Sequence, residues 1–271
     1  MSDPTYESEI AEITAAFRSA TQEIRDELSR VDIVDLSYPK ARPHLVRIST
    51  ILADLFAKVS DMVARLFSKA ASDGIQRAMD ALGTPGKPSI SRINSNMLVA
   101  VTEDTQADLL AVTQNIDRRT KVAVRRAVAE SMRGNMTAGI NGRKTISRDI
   151  LARIKKTLAE PTSNGIVDAA GRRWKPEVYA EVVTRTKAMY AHMETTTNEA
   201  LERGVLYGRI SRHGATDGCA KYEGKIVKLT PDAPGDYPYV GDLRASGAIF
   251  HPNCRHVITP VRNPDKAVGG G

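Results

Sequence analysis

The sequence predicts an α+β chain: a mainly helical N-terminal region, then a small C-terminal helix-plus-sheet module closed by a Cys/His loop. Three observations predict it. Apolar residues recur at helical spacing through the first half, the character changes to strands after Gly204, and both cysteines with three of the five histidines fall between His213 and His256. Composition bounds the rest. The 271 residues are 41% hydrophobic, enough for one or two cores, but only 5% aromatic, so Ala, Val, Ile and Leu must fill those cores and a base-stacking platform is not expected. A formal charge of +7, with acids interspersed among the bases, permits general electrostatic contact with DNA but indicates no sequence-specific reading. No apolar run approaches the roughly 20 residues that span a bilayer. Met1-Ser2-Asp3-Pro4 lacks the blocks of a signal peptide, so synthesis in the cytoplasm is expected, and two cysteines there do not make a disulfide framework.

Asp3 and Pro4 suit an N-cap and first turn, after which Ile10, Ile13, Phe17, Ala20, Ile24 and Val31 mark one helical face. That face is either a stripe packed on its own domain or a short coiled-coil seam for self-association. Ser37-Tyr38-Pro39 and Pro43 interrupt it, and from Leu45 a second stripe runs through Ile48, Leu52, Leu55, Val59, Met62 and Leu66. Gly83-Thr84-Pro85-Gly86-Lys87-Pro88 cannot continue a helix. Ser89 or Ser91 then caps a long helix to about Met132, with Leu98, Val101, Leu109, Val112, Ile116, Val122 and Val128 as apolar positions. Its latter half is basic, and Arg118, Arg119, Lys121, Arg125 and Arg126 are either a solvated face or a DNA contact. The glycines from Gly134 to Gly142 should end it.

Ser147 can cap a short helix through Ile150, Leu151, Ile154 and Leu158, with Pro161 as its stop. Gly165 to Trp174 reads as a hairpin turning at Ala169 to Gly171. Lys175-Pro176-Glu177 opens the next helix, which runs towards Gly204, and strands follow at Val205 to Ile210 and Lys225 to Leu229. The expected divisions are an N-terminal helical region 1–83, a long basic helical segment 84–142, the C-terminal module 143–262 and a flexible tail 263–271.

Cys219, His251, Cys254 and His256 are candidate zinc ligands, because thiolates and imidazoles are preferred zinc donors and His-x-x-Cys-x-His places three on one tight turn. His213 and Asp217 compete for the same place. A Cys219–Cys254 disulfide is a second reading, worth about 3 to 4 kcal/mol in the chain-entropy model. Plain burial of the two thiols is a third. A thiol triad with Asp217, or a zinc-bound water with Glu223, would make an enzyme, but neither carries a recognisable local signature.

The order Tyr179-Ala180-Glu181-Val182-Val183-Thr184-Arg185-Thr186, then Ile210-Ser211-Arg212-His213, Asp217-Gly218-Cys219, Tyr222-Glu223-Gly224-Lys225-Ile226-Val227 and His251-Pro252-Asn253-Cys254-Arg255-His256 resembles the Mu F-type minor head proteins of tailed phages and the related phage minor capsid proteins. The resemblance covers Gly165 to about Pro260. Where many members have Cys-x-x-Cys, this chain has the single Cys219. The resemblance implies a low-copy structural protein of the virion, made in the host cytoplasm and tied to the portal protein, with the major capsid or scaffold protein and packaged DNA as further partners. It would serve head morphogenesis, with packaging or delivery of the genome. Within such a module Cys219, His251, Cys254, His256, His213 and Asp217 would be the staple. Arg185 and Arg255 would organise it, Arg185 through loop carbonyls, the alternative for Arg185 being an exposed helical cation. A metal-dependent hydrolase or toxin-like enzyme and a non-specific DNA-binding protein are the rival expectations.

Overall fold

The computed structural model describes residues 4–33, 36–140, 148–163, 166–167 and 171–268. Helix α1 (Glu7–Ser29) starts three residues later than the Asp3-Pro4 signal predicts; Asp3 itself lies outside the described residues, and Tyr6 supplies the first accepting carbonyl, to Ile10 N at 3.0 Å. Ile10, Ile13, Phe17, Ala20 and Ile24 are each 5% exposed or less, so the face considered as a self-association seam is covered within the chain itself. Helix α2 (Tyr38–Leu82) absorbs the expected interruption, since Ala41 N already bonds Ser37 O at 3.0 Å. Pro39 sits in the first turn, where its amide has no intrahelical acceptor to lose, and only Pro43 costs a backbone bond. The break at Gly83 falls where predicted. Gly83 adopts φ +65°, and the N–H groups of Gly83 and Thr84 reach Asp80 O and Met79 O, a reversal that an L side chain resists.

Helix α3 (Arg92–Ile140) begins at Ser91, whose Oγ accepts from Asn94 N at 3.4 Å. It does not stop at Gly134. That glycine is buried inside the helix, between the buried Ser131 and Ala138, and burial of this face outweighs the roughly 1 kcal/mol that glycine costs a helix interior. Val122, expected among the apolar positions, is 40% exposed. Helix α4 (Arg148–Ser163) likewise includes Pro161 rather than ending before it, and its proposed cap Ser147 lies outside the described residues. The hairpin pairs β1 (Ile166–Val167) with β2 (Arg173–Trp174), antiparallel; Ala169, at its expected turn, is not among the described residues.

Helix α5 (Pro176–Glu202) is followed by the sheet that positions the site. Strands β3 (Tyr207–Ile210), β4 (Ile226–Lys228) and β5 (Ile258–Val261) form an antiparallel sheet in the order β4-β3-β5. Pro260 sits on an edge strand, where a missing N–H is tolerated. Two short helices, α6 (Val240–Ala245) and α7 (Pro264–Val268), complete the described chain, α7 falling in the expected tail. The α+β class is as predicted.

The chain forms two compact units. One consists of Met1–Ile10, Met62–Thr105 and Val182–Gly271, the other of Ala11–Asp61 and Gln106–Glu181. In the first, Ile210, Cys219, Val227, Ile249, Cys254 and Ile258 belong to one apolar cluster around the sheet. Its α2 and α5 segments approach closely at Gly74, where any Cβ would collide with His192 O and Thr195 Oγ1, and Thr196 Oγ1 donates to Gly74 O at 3.0 Å. The second is filled by Phe17, Ile48, Leu109, Ile116 and Ile154, all 2% exposed or less. Among the described residues no helix is long and apolar enough to cross a membrane.

Candidate functional site

The sheet register decides which loops meet. Because β3 pairs with both β4 and β5, the β3–β4 connection and the segment entering β5 leave the same end of the sheet. Ser211 N donates to Val257 O at 2.9 Å and Ser211 Oγ accepts from Val257 N at 3.1 Å, fastening the two together. The first loop then makes a 3-10 turn, Gly218–Tyr222, capped by Asp217, whose carboxylate accepts from Cys219 N at 2.9 Å. The second makes a tight turn in which Cys254 N donates to His251 O at 2.9 Å, with Asn253 at φ +65° and Phe250 at φ +60°. Asparagine tolerates that region; for phenylalanine it is strained. Asn253 N donates to Thr186 Oγ1 at 3.3 Å, tying the turn to α5.

These turns bring all six predicted staple residues together. Cys219 Sγ lies 3.0 Å from His251 Nε2 and 3.9 Å from Cys254 Sγ, and Cys254 Sγ lies 3.3 Å from His256 Nδ1. Both cysteines are free and buried. His213 stacks on His256 with ring centroids 4.1 Å apart, and Asp217 is 3.7 Å from His251 Nε2. Three donor sets fit within 4.8 Å: Cys219, Cys254 and His256; Asp217, Cys219 and His251; His213, Glu223 and His256. The four residues predicted as zinc ligands thus fall in two overlapping sets that share Cys219, with His251 at the edge.

Glu223, considered from sequence beside a zinc-bound water, ties the cluster together. Its Oε1 accepts from His213 N and Ala215 N, each at 3.0 Å, and faces His256 Nε2 at 3.3 Å. Those backbone donors, chiefly Ala215 and then His213, hold its carboxyl down to about 2. Gly224 follows at φ +74°, a backbone that an L side chain resists, with the exposed Arg212 guanidinium against it. Burial, followed by the neighbouring Cys254, pushes the Cys219 thiol up to about 12, and burial lowers His256 below its ordinary value.

The two arginines expected to organise the module converge on a residue that sequence reasoning missed. Arg185 donates from both terminal nitrogens to Glu7, at 2.7 and 2.9 Å, and Arg255 lies 3.0 Å from the same carboxylate. The Arg185 side chain is 7% exposed, so it is a buried clamp on Glu7 and not an exposed helical cation. Tyr6 beside it is 2.9 Å from His192 Nδ1, and Glu9 pairs with Lys69. Nothing local marks Glu7, because its partners are far along the chain.

The basic stretch of α3 behaves differently. Lys121 pairs with Asp117 at 2.6 Å, Arg119 with Glu160 at 3.8 Å, and Arg118 donates to Asn115 at 2.9 Å. Arg118 and Arg119, with Asn115, Glu160 and Arg173, line a cavity of about 610 Å³; they also line a smaller one, about 220 Å³, that takes in Arg126. Arg125 is exposed.

Fold and site together define a class: a mainly helical protein whose small sheet is closed by a buried Cys/His cluster. The sequence pattern of the phage minor capsid protein 2 family matches residues 44–263, from the opening turns of α2 through β5, and the chain belongs to that family. It is therefore a structural phage protein and a component of the virion, as the resemblance implied. No curated protein and no solved structure matches the chain.

Proposed function

We propose that this chain is a minor head protein that binds the portal protein or the inner face of the capsid and supports head assembly together with genome packaging or delivery. The observation that carries this reading is the family match across residues 44–263. Helix α3 supports it, since Ile93, Val99, Met132 and Met136 are all more than half exposed, the kind of apolar side chain that a partner helix or groove covers. The excess of 39 basic over 32 acidic residues suits a particle interior filled with DNA. Major capsid or scaffold protein is the second partner expected on the same grounds.

The test is made on heads purified from the phage or prophage that encodes the chain. Quantitative mass spectrometry should find it at a fixed low ratio to the major capsid protein, and pull-down of the full chain should bring the portal protein with it. Deletion of its gene should leave heads that are aberrant or empty. Absence from purified heads, or normal infectious particles without it, would overturn the reading.

A further inference from the structure

Both imidazoles of the cluster turn the same chemical face towards the cysteine sulfurs. His256 presents Nε2 to a carboxylate oxygen of Glu223 that already accepts two backbone N–H groups, so that nitrogen carries the ring proton and Nδ1, 3.3 Å from Cys254 Sγ, carries the lone pair. His251 repeats the arrangement with its nitrogens exchanged. Its Nδ1 lies 3.0 Å from Pro252 O and takes the proton, which leaves the Nε2 lone pair facing Cys219 Sγ at 3.0 Å. Each sulfur therefore faces one ring lone pair, and the two sulfurs with the His256 nitrogen lie within 4.8 Å of one another. Each ring is held from behind by an oxygen acceptor, the arrangement by which proteins fix metal-binding histidines.

Two of the separations suit a tetrahedral metal. Tetrahedral zinc, with Zn–S near 2.3 Å and Zn–N near 2.0 Å, sets its ligand atoms about 3.8 Å apart for two sulfurs and about 3.5 Å for sulfur and nitrogen. Cys219 and Cys254 stand 3.9 Å apart, and Cys254 stands 3.3 Å from His256 Nδ1. A disulfide needs its sulfurs at about 2.0 Å. Plain packing of thiols needs no pair of imidazoles aimed at them. We infer that the module binds one zinc ion through Cys219 Sγ, Cys254 Sγ and His256 Nδ1, with Glu223 fixing the His256 ring and His251 Nε2 closing the shell from the rim. The three inner ligands are buried, whereas the His251 side chain is 34% exposed and lies outside the donor set that they form, so it is the ligand that moves to admit the ion. Soft thiolate and imidazole donors in a closed four-coordinate site select zinc over magnesium or calcium. The inference rests on the geometry of these loops and not on the proposed role in the head, so either can fail alone.

The experiment uses the full chain, purified without chelators, with elemental analysis, a thiol count under non-reducing conditions and cobalt(II) substitution. Expected are one equivalent of zinc, two thiols that react only after chelation, and a cobalt spectrum with a thiolate charge-transfer band and the intense visible bands of four-coordination. Cys219→Ser, Cys254→Ser and His256→Ala should each lose the metal. Glu223→Gln keeps an acceptor for the two backbone amides and should bind zinc about 10- to 100-fold more weakly; His251→Ala should retain zinc at reduced affinity. If a variant does not fold, the cobalt spectrum of the unaltered protein still decides. Two freely reactive thiols with no cobalt charge-transfer band would overturn the inference, as would a Cys219–Cys254 disulfide in the protein as isolated.

Discussion

The Cys/His cluster and the basic stretch of α3 are both dense in chemistry-bearing residues, and they differ in how the residues come together. In the cluster, loops 30 to 40 residues apart are joined by the sheet register, and each side chain faces a partner on another loop, as Cys219 does His251 and Glu223 does His256. Along α3 the charges are neighbours on one helix, and Lys121 and Arg118 find their partners within the same turn, at Asp117 and Asn115. Convergence of distant residues fixes geometry. A run of like charges fixes only a local field, screened within about 10 Å at ordinary salt.

This contrast can be broken by measurement. Cys254→Ser places a hydroxyl in a site that is 8% exposed and should lower stability by about 2 to 3 kcal/mol, read as a fall in Tm, whereas Arg125→Ala should stay within about 0.5 kcal/mol. Equal effects would mean that the cluster is no more constrained than the helix surface. Gly224→Ala should cost about 1 to 2 kcal/mol, chiefly because an L side chain resists the left-handed backbone while the tip of Arg212 swings aside; Gly214→Ala, also left-handed but with open space around it, should cost nearly as much, and a much smaller loss at Gly214 in thermal melts would mean that Arg212 is held in place.

A smaller effect is expected at Glu7. Hydrogen bonds from Arg185 hold its carboxyl below the usual 4.5, so the folded state binds the proton less readily than the unfolded chain. The stabilisation is complete above that value and is lost as pH falls through the depressed one. Arg185→Met should remove about 1 kcal/mol at neutral pH, allowing for screening of the half-exposed carboxylate, and Glu7→Gln should flatten this part of the acid limb in melts taken from pH 6 to about 3. The smallest effect concerns α3. If Arg118, Arg119 and Arg126 touch packaged DNA, retention on non-specific duplex should fall linearly with log salt, and the triple alanine variant should lower that slope by about 3. An unchanged slope removes DNA from the role of this stretch.

The helical scaffold was legible because each stripe repeats its signal many times, as Ile48, Leu52, Leu55 and Val59 do in α2. Ends were less so. Gly134 and Pro161 are single local signals, and burial of the surrounding helix outweighed both. In the site, the cysteines and histidines were visible from spacing alone, since His251, Cys254 and His256 share one turn. The bond from Glu223 to the His213 and Ala215 amides was not, because a carboxylate in a turn looks the same whether it faces water or a ring nitrogen. Glu7 was beyond reach for another reason: it meets Arg185 across a separation of 178 residues, and no periodicity carries over that distance.

That separation has a consequence for how the protein is made. The unit holding Glu7 also needs Val182–Gly271, so on the ribosome Glu7 emerges long before Arg185 and Arg255 exist. The other unit, Ala11–Asp61 with Gln106–Glu181, has all its residues in hand earlier. Synthesis from the N-terminus therefore sets an order of completion: Glu9 can meet Lys69 early, whereas Tyr6 and Glu7 wait for the last third of the chain to supply His192 and Arg185.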